Sequence, residues 1–444
     1  MKGPPVLPHP CNNMQRSDLG GRGWAIPLVE SPSPMRSSTR VQALLRIVQS
    51  PAVVFAIALT MRLWAPSQLL PDQAGQYFYQ YNEFAHIAAA VVSGHGYSSP
   101  WANTPLAPTA VEPPVYAYLL AGIFRLAGIY SYAALWTAIG LNAVLSATTA
   151  VLILRIGRRI FGSPAGVLAA WVWSCWLYEA AVAVRLWESS LSALLLLTGL
   201  WLLPELDAAL RASRWLLFGV VAGVAGLTNT TLLSVFPFFW LWLWTSYRRR
   251  GQSCNRLLLA SIGVFLVTLV PWTIRNYVTF DRLMPVRDNF GLELWLGNHE
   301  GVTNVFDSDF PILNPATYNR LGEIRFIEEK REIAWQFVRQ HPGQFFRRSL
   351  RRVFQFWTAP DGSAWPWISL LAWLGVVLAL RKLKINAVPS AIVMVMFPLV
   401  YYITHTFPTY RHPMEPIVLL LASYAVIQGV VQVAGGWFKR LSTG

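Results

Sequence analysis

The stretch Tyr77–Pro114, YFYQYNEFAHIAAAVVSGHGYSSPWANTPLAPTAVEPP, is polar, nearly free of cations and flanked by apolar segments, and its acidic centre is Glu83. Asn82 before it is a good N-cap, FAHIAAAVVS reads as a helix, and Gly94 is placed to close that helix. A carboxylate in a first helical turn is favoured as the anion, the state that a general base needs. Capping alone would account for the same spacing. His86 lies three residues on and shares the face, and Glu112 is the next acid in the loop.

Arg185 and Glu188, in AVRLWESSLSALLLL, are three residues apart on one helical face. They can pair with each other or serve a site. Arg275, in PWTIRNY, and Arg411, in TYRHPMEP, border apolar runs, where a guanidinium can hold a phosphate bidentately or simply anchor the interface. His412 follows directly. His86, His95, His405 and His412 show no ligand spacing, and Cys11, Cys175 and Cys254 suggest neither a disulfide framework nor a zinc site, so no metal or cofactor is expected.

These residues need a scaffold, and the composition identifies it. The chain of 444 residues is 54% hydrophobic and only 13% charged, with a mean hydropathy of +0.40, which excludes an ordinary soluble protein. The formal charge of +15 resides mainly in short clusters between apolar runs, a topology signal and not a nucleic-acid footprint. Spans are expected at about 47–65, 131–154, 165–183, 187–203, 214–228, 231–246, 256–274, 366–380, 388–404 and 415–434.

Arg155, Arg158 and Arg159, then Arg211 and Arg214, Arg248 to Arg250, and Arg381 to Lys384 all fall on one side, which the positive-inside rule makes cytoplasmic. The expected architecture is an all-α polytopic membrane protein with about ten transmembrane helices and both termini cytoplasmic. A disordered tail covers about 1–40, with Met35 as an alternative start, and a transmembrane catalytic module covers 41–274, with an external loop at about 66–130. An external loop subdomain then occupies about 275–365 and C-terminal spans about 366–444. Within the first loop, about 115–128 reads as an interfacial helix. Helices are expected near 317–340 and 343–357, the second laying Arg347, Arg348, Arg351 and Arg352 on headgroups.

YNEFAHIAAAVVSGHGYSSP followed by PTAVEPPVYAYLLAGIFRLAG resembles the first external loop of bacterial membrane glycosyltransferases of the glycosyltransferase family 39 group. These belong to the GT-C superfamily, with protein O-mannosyltransferases and lipid A aminoarabinose transferases as relatives. RIGRRIFGSPAGVLAA, RLWESSLSALLLL, PWTIRNYVTFDRLMPVRDNFGLELWLGN and FPTYRHPMEP resemble the group in the same order. The resemblance implies a sugar donor on a polyprenyl phosphate, a lipid, glycan or protein acceptor, an external site in a bacterial inner membrane and inversion at the anomeric carbon. It also implies a first-loop acid as base. The group often carries an Asp–Glu pair where this chain has Asn82–Glu83, so the role falls to Glu83. Glu188 is then the candidate second carboxylate, Arg275 and Arg411 the expected donor-phosphate clamp, and His86, Glu112, Arg185 and His412 further site lining. The alternatives are an O-antigen polymerase or ligase acting on diphosphate lipids, and a lipid or sugar transporter.

Overall fold

The computed structural model describes residues 39–69, 82–101, 105–183, 185–302, 315–358 and 365–443. The expected tail over 1–40 lies almost wholly outside them. The chain divides into Met1–Leu45 and Arg46–Gly444, and the second unit is described below. All of its regular elements are helices, and the only ladder pairing among the described residues is an isolated antiparallel bridge between Ser98 and Pro108.

Among the described residues, six helices are long and apolar enough to cross a membrane, or up to eight spans if two bent pairs each count as one. The protein is a multi-pass membrane protein. One bent pair is Ser163–Cys175 with Leu177–Ala183, turned by 66° at Trp176. Two segments expected to span, Ala212–Thr228 and Phe236–Arg249, are helical but only 17 and 14 residues long, short of the roughly 20 that a bilayer core requires. The second begins late because Thr230–Ser234 is wound as a 3₁₀ turn ahead of Pro237.

Trp173, Trp215, Phe218, Phe236 and Phe239 fill the main core. Small residues set its closest approaches. A Cβ on Gly157 would lie 2.2 Å from the Gly166 Cα, and one on Gly375 would lie 2.1 Å from the Leu421 carbonyl oxygen. A second core joins helix Glu83–Val92 to helix Pro114–Ala127, with Phe84 and Tyr116 edge to face at 5.4 Å. Ala85, Ala88 and Ala89 are buried there, which lets the two short helices pack closely.

Helices Pro315–Leu321, Glu323–Gln340 and Pro342–Thr358 fall between residues 275 and 365. The last one is turned differently from the headgroup-facing orientation expected. Arg352 is fully buried, donating to the carbonyls of Ile403 (3.1 Å) and Gly297 and to the Asn298 side chain (3.1 Å), while Arg348 donates to the His299 carbonyl (3.0 Å). The outward face carries Phe346 (65% exposed) and Phe354 (68%) beside the exposed Arg347 and Arg351. The inner side offers carbonyl oxygens at helix ends, which lack a helical amide partner, and a guanidinium with five donors satisfies several at once.

Candidate active site

Asn82 fixes the first loop. Its Oδ1 accepts from the Ala85 amide at 2.8 Å, which caps helix Glu83–Val92, and its Nδ2 donates to the Leu186 carbonyl at 2.8 Å. One side chain must therefore accept at one end and donate at the other. An amide does both, whereas an ionised carboxylate can only accept. At the far end Gly94 adopts φ +86°, as a helix stop requires.

Glu83 follows in the first turn, 7% exposed, and faces a cavity of about 600 Å³. Glu112, Glu188 and Glu293 line the same cavity, together with Arg185 and Arg287. Arg287 is at the centre of the charges. It approaches Glu112 at 3.3 Å and Glu293 at 4.0 Å, and its Nε donates to Thr230 Oγ1 at 3.0 Å. Asn229 Nδ2 donates to Glu188 at 3.1 Å. The 3₁₀ turn that shortens helix Phe236–Arg249 is therefore the element that brings Asn229 and Thr231 to the cavity and Thr230 to Arg287.

Four carboxylates share few cations, and three of them, Glu83, Glu112 and Glu188, are shifted upwards. Burial pushes Glu83 up to about 7, reinforced by the charges of Glu293 and Glu188, while its own amide and the Trp101 indole pull it down. Glu188 is pushed up to about 6 by burial, against its own amide, Arg287 and Asn229. Glu112 is held well above the usual carboxylate range by burial and by its three acidic neighbours, despite Arg287. Burial works against the charge of Arg287, but Glu112, Glu293 and Glu188 outweigh it and hold the guanidinium ionised. Tyr178, Trp187, Tyr401, Phe407 and Tyr410 complete the lining, with Tyr401 and Tyr410 stacked at 4.9 Å. Aromatic faces beside carboxylates suit a polyol with apolar C–H faces.

Residues 111–274 match the family model described as dolichyl-phosphate-mannose-protein mannosyltransferase. No curated protein matches the sequence. Among solved structures, the oligosaccharyltransferase AglB of Archaeoglobus fulgidus, in complex with an inhibitory peptide and a dolichol-phosphate, superposes with a TM-score of 0.55 at 13% identity, covering 92% of this chain and 52% of that one. The chain has the fold of that oligosaccharyltransferase, and its matched segment is similar to the mannosyltransferase family. ArnT of Cupriavidus metallidurans bound to undecaprenyl phosphate aligns at 17% identity with a TM-score of 0.48, covering 87% of this chain and 60% of that one. The chain thus spans little more than half the length of those proteins. The matched segment holds Glu112, Arg185 and Glu188 and stops before Arg287.

Within this fold, four of the residues singled out in the sequence come together: Glu83, Glu112, Arg185 and Glu188. The two arginines expected to clamp a donor phosphate do not line the cavity. Arg275 donates to the carbonyls of Thr109 (2.7 Å) and Tyr97 (2.8 Å) and lies 4.9 Å over the Trp272 ring. Thr109 in turn donates to Glu323 at 2.5 Å, and the Ala110 amide donates to the other Glu323 oxygen at 2.6 Å. Arg275 and Glu323 therefore grip the loop that carries Glu112. Arg411 is buried in an ion pair with Glu415 (2.5 and 3.0 Å), donates to Ser369 at 2.7 Å and lies between the Trp357 and Trp365 rings. His412 bonds Glu179 at 2.5 Å, and His86 meets the Tyr130 hydroxyl at 3.1 Å.

Sequence reasoning missed Arg287 and Glu293. Both lie in VRDNFGLELWLGN, and the available signal was Arg287 just after Pro285 and Glu293 as the one charge within the apolar run FGLELWLG. Backbone pairing of the Asp288 amide with the Ala110 carbonyl at 3.1 Å brings that segment against the first loop. Among the described residues no group of three or more His, Cys, Asp or Glu is arranged to hold a metal.

Proposed function

We propose that this chain is an inverting glycosyltransferase that moves a sugar from a polyprenyl-phosphate carrier to an acceptor hydroxyl in the Glu83 cavity, on the outer face of a bacterial inner membrane. The observation that carries the reading is the buried Glu83 carboxylate sharing one aromatic-lined cavity with Arg287 and Arg185 at the ends of membrane helices. The similar oligosaccharyltransferase AglB is in complex with a dolichol-phosphate, a carrier of the polyprenyl-phosphate class.

The chemistry follows from the charges. The acceptor oxygen attacks the anomeric carbon as its bond to the phosphate oxygen breaks, and the hydroxyl proton passes to Glu83. A base with a pKa of about 7 is matched to neutral pH, since it is half ionised there and still basic enough to take the proton. The leaving group departs as a lipid phosphate, so no general acid is required, and its growing negative charge needs cations. Arg287 and Arg185 supply them in place of Arg275 and Arg411, whose donors are committed to protein acceptors. Glu188, held by Asn229, orients sugar or acceptor hydroxyls.

The test is transfer by the purified full chain, reconstituted in vesicles and given a polyprenyl-phosphate sugar. Glu83→Gln should lose about 10²- to 10⁴-fold in rate, the range for removal of a general base. Transfer at the wild-type rate would remove Glu83 from the mechanism.

A further inference from the structure

A second cavity, of about 350 Å³, opens at the other end of the same helices. Helix Ser189–Ala208 starts beside Glu188 at the first cavity and reaches the second at Leu200, Leu203, Pro204 and Asp207. The segment that offers Thr231 to the first cavity offers Trp242 and Arg250 to the second, and Lys384–Ile403 runs from Asn386 to Tyr401 between them. A 20-residue helix is about 30 Å long, the thickness of a bilayer's hydrocarbon core. The two cavities therefore lie at opposite headgroup levels.

The second cavity is rich in cations. Arg159 enters it from Gly157–Phe161, a π-helical turn, a rare winding that recurs at functional sites. The Gly157 and Gly166 contact pins that turn against the neighbouring helix. Glu205 is divided between Arg159 (3.4 Å) and Arg214 (2.7 Å), and Asp207 takes Arg250 at 2.6 Å. Three guanidiniums thus meet two carboxylates. Pro204 has no N–H to give the Leu200 carbonyl four residues earlier, and both residues line the cavity. The site combines excess positive charge, an acceptor released from the helix ladder and the Asn386 amide, next to apolar Ile160, Leu200 and Leu203.

We propose that this cavity binds the headgroup of an anionic phospholipid that carries a hydroxyl, of the phosphatidylglycerol type. The phosphate oxygens accept from Arg159 and Arg250, the headgroup hydroxyl donates to the Leu200 carbonyl, and the first acyl carbons lie against Ile160 and Leu203. Basic pockets between membrane helices are suited to such headgroups. Inorganic phosphate shares the charge but has neither the hydroxyl nor the chains, so the two sources can be told apart.

The experiment is native mass spectrometry of the purified full chain with equimolar phosphatidylglycerol and phosphatidylcholine of matched acyl chains. Phosphatidylglycerol should be retained in preference, and Arg159→Gln or Arg250→Gln should each lower its retention about fivefold. Asn386→Phe, which fills the cavity and leaves every ion pair in place, should also lower it, and it decides the matter if the arginine variants fail to fold. Equal retention of both lipids would overturn the proposal, as would wild-type retention of phosphatidylglycerol by Asn386→Phe. Displacement of the bound lipid by an equal concentration of inorganic phosphate would overturn the lipid assignment in favour of a free-anion site.

Discussion

The two ends of helix Ser189–Ala208 carry opposite electrostatics. At the Glu188 end, Glu83, Glu112, Glu188 and Glu293 line one cavity with two arginines. At the Asp207 end, Glu205 and Asp207 are met by three arginines, each with about a third or more of its side chain exposed. A surplus of buried carboxylates makes groups that hold and exchange protons near neutral pH. A surplus of half-exposed guanidiniums makes a surface that attracts anions. One scaffold therefore presents an acid-rich cavity at one end of the helix and a cation-rich cavity at the other.

That contrast is most severely tested at Arg287, the cation held among Glu112, Glu188 and Glu293. Arg287→Ala should lower kcat/KM for a polyprenyl-phosphate sugar by about 10²- to 10³-fold, as removal of a charge-stabilising donor does, and Arg287→Lys should recover part of it. A loss below about threefold would mean that the cation does not face the leaving phosphate. Asn82→Asp comes next. It removes the donor to the Leu186 carbonyl and adds a fifth carboxylate near the cavity, so thermal unfolding in detergent should show a cost of about 1–3 kcal/mol. An unchanged melting temperature would refute the bridging role. The smallest effect belongs to the other end, where Asp207→Asn opens a half-exposed ion pair and should cost about 0–1 kcal/mol by the same assay. A larger cost there would erase the distinction between the two ends.

Much of this was legible in the sequence because it rests on local rules. Apolar runs marked the helices, Asn82 and Gly94 marked the ends of the first-loop helix, and the sorting of acids from cations brought Glu83, Glu112, Arg185 and Glu188 to one face. The departure from the Asp–Glu pair reads as a gap in the sequence, and the structure gives it a cause, because residue 82 must donate as well as accept. What stayed hidden depends on contacts between distant segments. Arg275 and Arg411 look like free guanidiniums at helix borders until the loop carbonyls and Glu415 come into view. Arg287 reaches the cavity only because the segment beyond Pro285 folds back on the first loop. Periodicity set the amphipathic character of Pro342–Thr358 but not which face turns inward, since the demand comes from carbonyls of other helices.

The central claim is that Glu83 works as a base tuned by its buried, acid-rich surroundings. The pH dependence of kcat/KM for sugar transfer tests it most directly. With Glu83 at about 7, the rate should rise about tenfold per pH unit below that point, as the carboxyl loses its proton, and level off above it. The residual activity of Glu83→Gln should lack that limb. A wild-type profile that stays flat from about pH 5 to 8, or the same limb persisting in Glu83→Gln, would contradict the account.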